Sequence, residues 1–128
     1  MITTTAIGRW VSETLLADEA VTAIVGQRVY PLVTDEEPAL PWAVFTSLHL
    51  DYETTKDGST PVGGGFETVV AAASYARSVD LTDAVVEALN NKVCAEIDGE
   101  AIVTVVSIEA TYDAAVGYLH KITYVIDI

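Results

Sequence analysis

The chain has 128 residues, 51% of them hydrophobic and 20% charged, with 19 Asp and Glu against 6 Lys and Arg for a formal charge of -13. A chain of that length makes one domain that buries roughly two thirds of the surface it exposes when unfolded, and its apolar content excludes both disorder and a coiled coil. The charge argues against a nucleic-acid backbone as ligand: such binders neutralise phosphates with clustered cations, and Arg9, Arg28, Lys56, Arg77, Lys92 and Lys121 are scattered.

No apolar stretch approaches the roughly 18 residues of a membrane span, and the N-terminus lacks the basic-then-apolar pattern of a secretion signal, so neither membrane insertion nor export is expected. A lone cysteine, Cys94, cannot form an internal disulfide, which suits a reducing compartment. Two readings of the acidity stand side by side. Charge of this size keeps molecules soluble, and it would also line a channel that DNA must traverse without sticking.

In chain order, the first element is an amphipathic helix over about residues 5 to 16, with Ile7, Trp10, Val11 and Leu15 on one stripe. Asp18 reads as the N-cap of a second, short helix carrying Ala20, Val21, Ile24 and Val25, which Gly26 ends. A small strand follows from Arg28 to Pro31, then a solvated acidic loop at Asp35, Glu36 and Glu37. From Trp42 the pattern turns to period two. Trp42, Val44, Leu48, Leu50 and Tyr52 are assigned to one face, opposite Ala43, Phe45, Ser47, His49 and Asp51.

Residues 54 to 65 concentrate glycine and turn formers and are expected to form a long mobile hairpin loop. The next strand, Phe66 to Tyr75, is rich in small residues, so a helix should lie close against it. That helix is expected to start with Ser78 as N-cap and to show Leu81, Ala84, Val85, Ala88 and Leu89 at helical spacing before Asn90 and Asn91 end it. Two terminal strands, about 101 to 112 and 118 to 128, carry apolar faces: Ile102, Val106, Ile108 and Tyr112 on the first, Ile122, Tyr124, Ile126 and Ile128 on the second. These elements imply an α+β fold, a mainly antiparallel sheet of four or five strands with two or three helices on one face. Such an open sheet has edges, and the apolar strand that ends the chain, with few charges to block pairing, is expected at one of them, completed either by a partner subunit or by a helix or loop of the same monomer.

Reacting centres find little support. Ser47, His49 and Asp51 share a strand face in this reading, but residues two apart on a strand project in parallel and do not converge. His49 reads as a surface histidine, and His120, on the face of Ile122 and Tyr124, as a partly buried structural one. Glu96, Asp98 and Glu100 lack calcium-loop spacing, and Asp98-Gly99 is a turn signal. Gly63-Gly64-Gly65 is followed by neither Gly-Lys-Ser/Thr nor a helix, so it is not a phosphate cradle. Cys94 is assigned to core packing. No catalytic residue, cofactor or metal ligand is therefore expected.

The run Gly26-Gln27-Arg28-Val29-Tyr30-Pro31, the acidic gap, then Leu40-Pro41-Trp42-Ala43-Val44-Phe45, a glycine-rich break, a strand into one helix and a terminal hairpin resembles the tail-completion or tail-terminator proteins of long-tailed bacteriophages. The resemblance spans nearly the whole chain on short, apolar motifs. It implies a structural virion protein forming a ring, typically a hexamer, at the head-proximal end of the tail. There it would stop growth of the tail tube and join the head, with itself, the tube protein and head-tail connector proteins as partners. Host cytoplasm would be the place of assembly. Candidate interface residues on this reading are Arg28, Tyr30, Asp57, Gly58, Gly63, Gly64 and Gly65. Arg28 would bridge subunits or pair locally with Asp35, Glu36 or Glu37. A connector, adaptor or minor tail protein remains the nearest alternative, and an acidic DNA-mimic inhibitor or a small ligand-binding domain stands further off.

Overall fold

A computed structural model describes residues 3–34, 38–94 and 101–128. Three helices, α1 (Thr4–Ala17), α2 (Glu19–Val25) and α3 (Tyr75–Leu89), accompany six strands: β1 (Val29–Pro31), β2 (Trp42–Thr55), β3 (Gly58–Ala72), β4 (Lys92–Val93), β5 (Ile102–Asp113) and β6 (Gly117–Asp127). The strands form one sheet in the order β1-β2-β3-β6-β5-β4. The α+β class stands, but the sheet has six strands where four or five were expected. It is also mixed, because β1 lies parallel to β2. The extra strand is β4, whose two residues were too few to register as a pattern.

The helices pack on one sheet face. Ile7, Trp10, Val11 and Leu15 of α1, Val21 and Val25 of α2, and Leu81, Val85 and Leu89 of α3 share a core with Ala43, Phe45, Phe66, Val70, Ile122, Tyr124 and Ile126. Cys94 belongs to this core. Asp18 caps α2 as expected, its carboxylate accepting from the Val21 amide at 3.1 Å, and Gly26 ends that helix at φ 61°. The other face carries a smaller cluster of Trp42, Val44 and Ala71, flanked by Tyr30, Leu40, Val69, Val116 and Leu119.

Three local expectations are corrected. The α3 N-cap is Ser74, whose hydroxyl accepts from the Arg77 amide at 3.2 Å. Ser78 instead lies inside the helix and buried, so a hydroxyl that looked available for capping is spent on a buried contact. On β2 the faces are not one unbroken alternation. Ser47 sits at φ 54°, in a register shift between Thr46 and His49, and this bulge moves Leu48 and Leu50 to the core side with Ala43 and Phe45, while Trp42 and Val44 face away.

The long loop expected at 54–65 is largely strand: β2 runs to Thr55 and β3 starts at Gly58, leaving a tight turn at Lys56 and Asp57. Gly63, Gly64 and Gly65 pair with Asp127, Ile126 and Val125 of β6. Their glycine content answers to crowding between backbones. A Cβ at Gly65 would lie 2.6 Å from the Tyr124 carbonyl oxygen, and one at Gly64 would collide with the His49 carbonyl, whereas Gly63 has ordinary room at 3.6 Å. Gly65→Ala should therefore lower unfolding stability by roughly 1–3 kcal/mol in chemical denaturation, while Gly63→Ala stays within about 1 kcal/mol of the parent.

Candidate assembly surface

The surface best fitted to a partner is the pair of sheet margins. On one side β1 covers only the start of β2, matching Val29, Tyr30 and Pro31 to Ala43, Val44 and Phe45, and the Leu32 amide donates to the Phe45 carbonyl at 2.8 Å. Among the described residues, no strand flanks β2 beyond that point. On the other side β4 pairs only with Ile102 and Val103. Two asparagines extend that cover slightly: the Asn91 amide donates to the Val103 carbonyl at 2.7 Å, and Asn90 Oδ1 accepts from the Val105 amide at 2.9 Å. Past Val105 the outer side of β5 is unpaired among the described residues.

The β5 margin is apolar. A register shift between Val105 and Ser107 marks a bulge, after which Ile108, Ala110 and Tyr112 stand opposite Ile122, His120 and Tyr118 on the helix face. Only the start of α3, at Tyr75, comes near this end of the strand, and Val106, Ile108 and Tyr112 are 55%, 51% and 64% exposed. The apolar face expected for this strand is split by the bulge: Val106, Ile108 and Tyr112 share one side and are exposed, while Ile102 lies on the other, because Val103 and not Ile102 stands opposite the buried Ile126. Tyr75, Tyr112 and Tyr118 gather there, Tyr118 lying 4.9 Å from Tyr112 and 6.0 Å from Tyr75 between ring centres. They border a shallow depression of about 270 Å³ whose floor includes His120.

Ser78 and His120 form the polar contact beneath this aromatic group. Ser78 Oγ donates to the Tyr75 carbonyl at 2.6 Å and so accepts from His120 Nε2–H at 3.0 Å, which defines the imidazole tautomer. Burial pushes His120 below its ordinary value of 6.5, and the Asp83 carboxylate offsets part of that. Deeper in the sheet, burial raises the Tyr124 phenol, whose hydroxyl is within 3.1 Å of Thr68 Oγ1.

The residues singled out from the sequence are not brought together. Arg28 and Tyr30 lie at the β1 end of the sheet, where Arg28 Nε donates to the Pro41 carbonyl at 2.8 Å and Tyr30 packs beside Trp42. Asp57 and Gly58 mark the β2–β3 turn, and Gly63, Gly64 and Gly65 lie within the sheet. The acids weighed as local partners of Arg28, at 35–37, and the Glu96, Asp98 and Glu100 group fall outside the described residues. His49 is exposed, and its Nδ1 lies 3.3 Å from the Ser47 backbone carbonyl. Sequence reading expected the edge at the terminal strand, but β6 is paired on both sides by β3 and β5 and the bare margin is that of β5, because an apolar strand at a sheet edge carries the same period-two signal as a buried one.

Among the described residues, no helix is long and apolar enough to cross a membrane. No group of three His, Cys, Asp or Glu among them could hold a metal ion. A concavity of about 410 Å³ is lined by Thr34, Pro38, Leu40, Trp42, Ala115 and Val116, with no titratable side chain among these residues.

No protein-family model matches the chain, and no curated protein sequence does. Among solved structures, a chain of the virion of a native gene transfer agent particle is similar in fold, with a TM-score of 0.74 and 18% identity over 91% of this chain and 90% of that one.

The depressed His120 sets a pH dependence. Because the unfolded chain binds this proton more readily than the folded one, stability falls as the pH drops through 6.5 and levels off below the folded-state value. Thermal or urea unfolding across that range should show the decline, and His120→Gln should remove this part of the slope.

Proposed function

We propose that the protein is a structural virion component that closes into a ring, caps the tail tube of a long-tailed phage or phage-like particle and joins the tail to the head. The observation that carries this reading is the fold shared over nine-tenths of both chains with a chain of a gene transfer agent virion. Two features of the molecule support it. Among the described residues its sheet keeps unpaired strand margins at both ends, and heterologous contacts between unlike margins are what close a ring. Its exposed aromatic and aliphatic groups lie along such a margin and not around a polar cleft.

The ring is six-membered, as in the tail terminators the sequence resembles. Its partners are further copies of itself, the tube protein and head-tail connector proteins, and its place is the head-proximal end of the tail. The protein has no catalytic role and takes no cofactor. Its net charge of -13 keeps a channel acidic, so that DNA passes without adhering.

Size-exclusion chromatography with light scattering, followed by negative-stain imaging, tests the reading. A species of integral subunit number with a central hole is expected, alone or on purified tube. A strict monomer that binds no tube overturns it.

A further inference from the structure

Resting on the ring reading, we propose that the interface between neighbours is a continuous antiparallel β-sheet, in which the stretch Leu48–Tyr52 of one copy pairs with Val106–Ala110 of the next, His49 facing Glu109. The two stretches are the uncovered parts of strands at opposite sides of one sheet, and each begins at or next to a bulge. Among the described residues, each is also left bare by a short neighbour that protects the rest of its strand: β1 covers β2 through Phe45, and β4 with Asn90 covers β5 through Val105. In the proposed register these covers sit at opposite ends of the junction, so neither blocks the other.

Strand direction follows from the fold. Along β2, β3, β6 and β5 every neighbour is antiparallel, so β2 and β5 run in opposite senses. A copy repeated without being turned over, as in any cyclic ring, therefore presents β5 antiparallel to the adjacent β2 with the helix faces on the same side. Side-chain chemistry selects the same arrangement. With His49 opposite Glu109, the helix face pairs Leu50 with Ile108, Tyr52 with Val106 and Leu48 with Ala110. The other face pairs Asp51 with Ser107, so no two carboxylates stand directly opposed. A parallel pairing centred on the same residues would oppose Glu53 and Asp113.

Glu109 has Lys121 Nζ at 3.7 Å, so its carboxylate brings a neighbouring cation to the junction, where the opposed His49 adds no acid. The alternative margin of the β2–β3 hairpin, the outer side of β3 before Gly63, is spoiled by Pro61, which has no amide to donate.

Cysteine cross-linking of the full chain tests the pairing, with the parent chain, whose single thiol Cys94 is buried, as control. Chain carrying both His49→Cys and Glu109→Cys, mildly oxidised, should give a reducible covalent ladder up to the ring number. Mixed single variants should stop at dimers. Direction is read from Tyr52→Cys, which should cross-link with Val106→Cys and not with Tyr112→Cys. Ile108→Lys, at an exposed position, should keep the monomer's circular dichroism and lose the ring. Rings by scattering without the ladder overturn this interface and leave the ring reading intact, as does a ladder in which Tyr52→Cys prefers Tyr112→Cys. A disulfide dimer of either single variant alone points to a self-symmetric contact and also overturns it. Absence of any assembly, alone or on tube, overturns both.

Discussion

The pairing of β3 with β6 is the constraint on which the rest of the molecule depends. The chain supplies two antiparallel hairpins, β2–β3 and β5–β6, and this ladder, from Gly63 against Asp127 to Ala72 against Tyr118, makes one sheet of them. At its centre Phe66 stacks on Tyr124, with ring centres 4.5 Å apart and planes 15° from parallel, and Thr68 meets the Tyr124 hydroxyl. A slip of one residue would put Phe66 and Thr68 on the opposite face from Ile122 and Tyr124, so that one pair or the other would leave the helices. The glycines at 64 and 65 belong to the same constraint, since side chains there would strike backbone on either side of β3. Because α3 packs against both β3 and β6, the joint also fixes how far helical cover extends, and hence that Ile108 and Tyr112 stay exposed.

The margins of the sheet are treated unequally. Strand edges invite unwanted pairing, and proteins blunt them with short strands, prolines and side-chain caps. Here Pro31 closes the three-residue β1, Pro61 interrupts the free side of β3, and Asn90 occupies the Val105 amide. The remainder of β5 has no such device among the described residues and carries exposed Val106, Ile108 and Tyr112. Selective protection of this kind fits a margin kept for a partner better than one merely left unguarded. The Ser78–His120 contact then acquires a role in shape: it anchors the aromatic group of Tyr75, Tyr112 and Tyr118 from below.

Where the sequence was legible, one local signal dominated. The α1 stripe of Ile7, Trp10, Val11 and Leu15, the Asp18 cap and the Gly26 stop each depend on neighbours within a turn or two, and the structure places them as read. The misreadings share a non-local cause. Gly63, Gly64 and Gly65 look like a loop until β6 approaches them, and the strand alternation through Trp42 to Tyr52 holds until Ser47 bulges. Ser78 and Ser74 are both plausible caps by composition, and only His120, distant in sequence, takes Ser78 out of contention. The candidate interface was least legible of all, since nothing in Val106-Ser107-Ile108 tells a covered strand from a bare one.

Acidity and assembly have to be reconciled in one surface. Copies of a chain at -13 repel, and contact is favourable only where apolar burial and backbone pairing exceed that repulsion. Each bare stretch carries a single acid: Leu48–Tyr52 has Asp51, with His49 two positions away, and Val106–Ala110 has Glu109, with Lys121 at 3.7 Å. Asp80 and Glu87 on the exposed side of α3 and Asp57 at the hairpin turn are separate from both stretches in the chain, whereas Glu53 adjoins the first. At physiological ionic strength charges separated by more than about 8 Å are largely screened, so acids that far from the junction oppose association only weakly while still giving each subunit a repulsive coat. On the proposed pairing, setting strand against strand is the orientation in which backbone pairing and apolar burial are available to offset that repulsion.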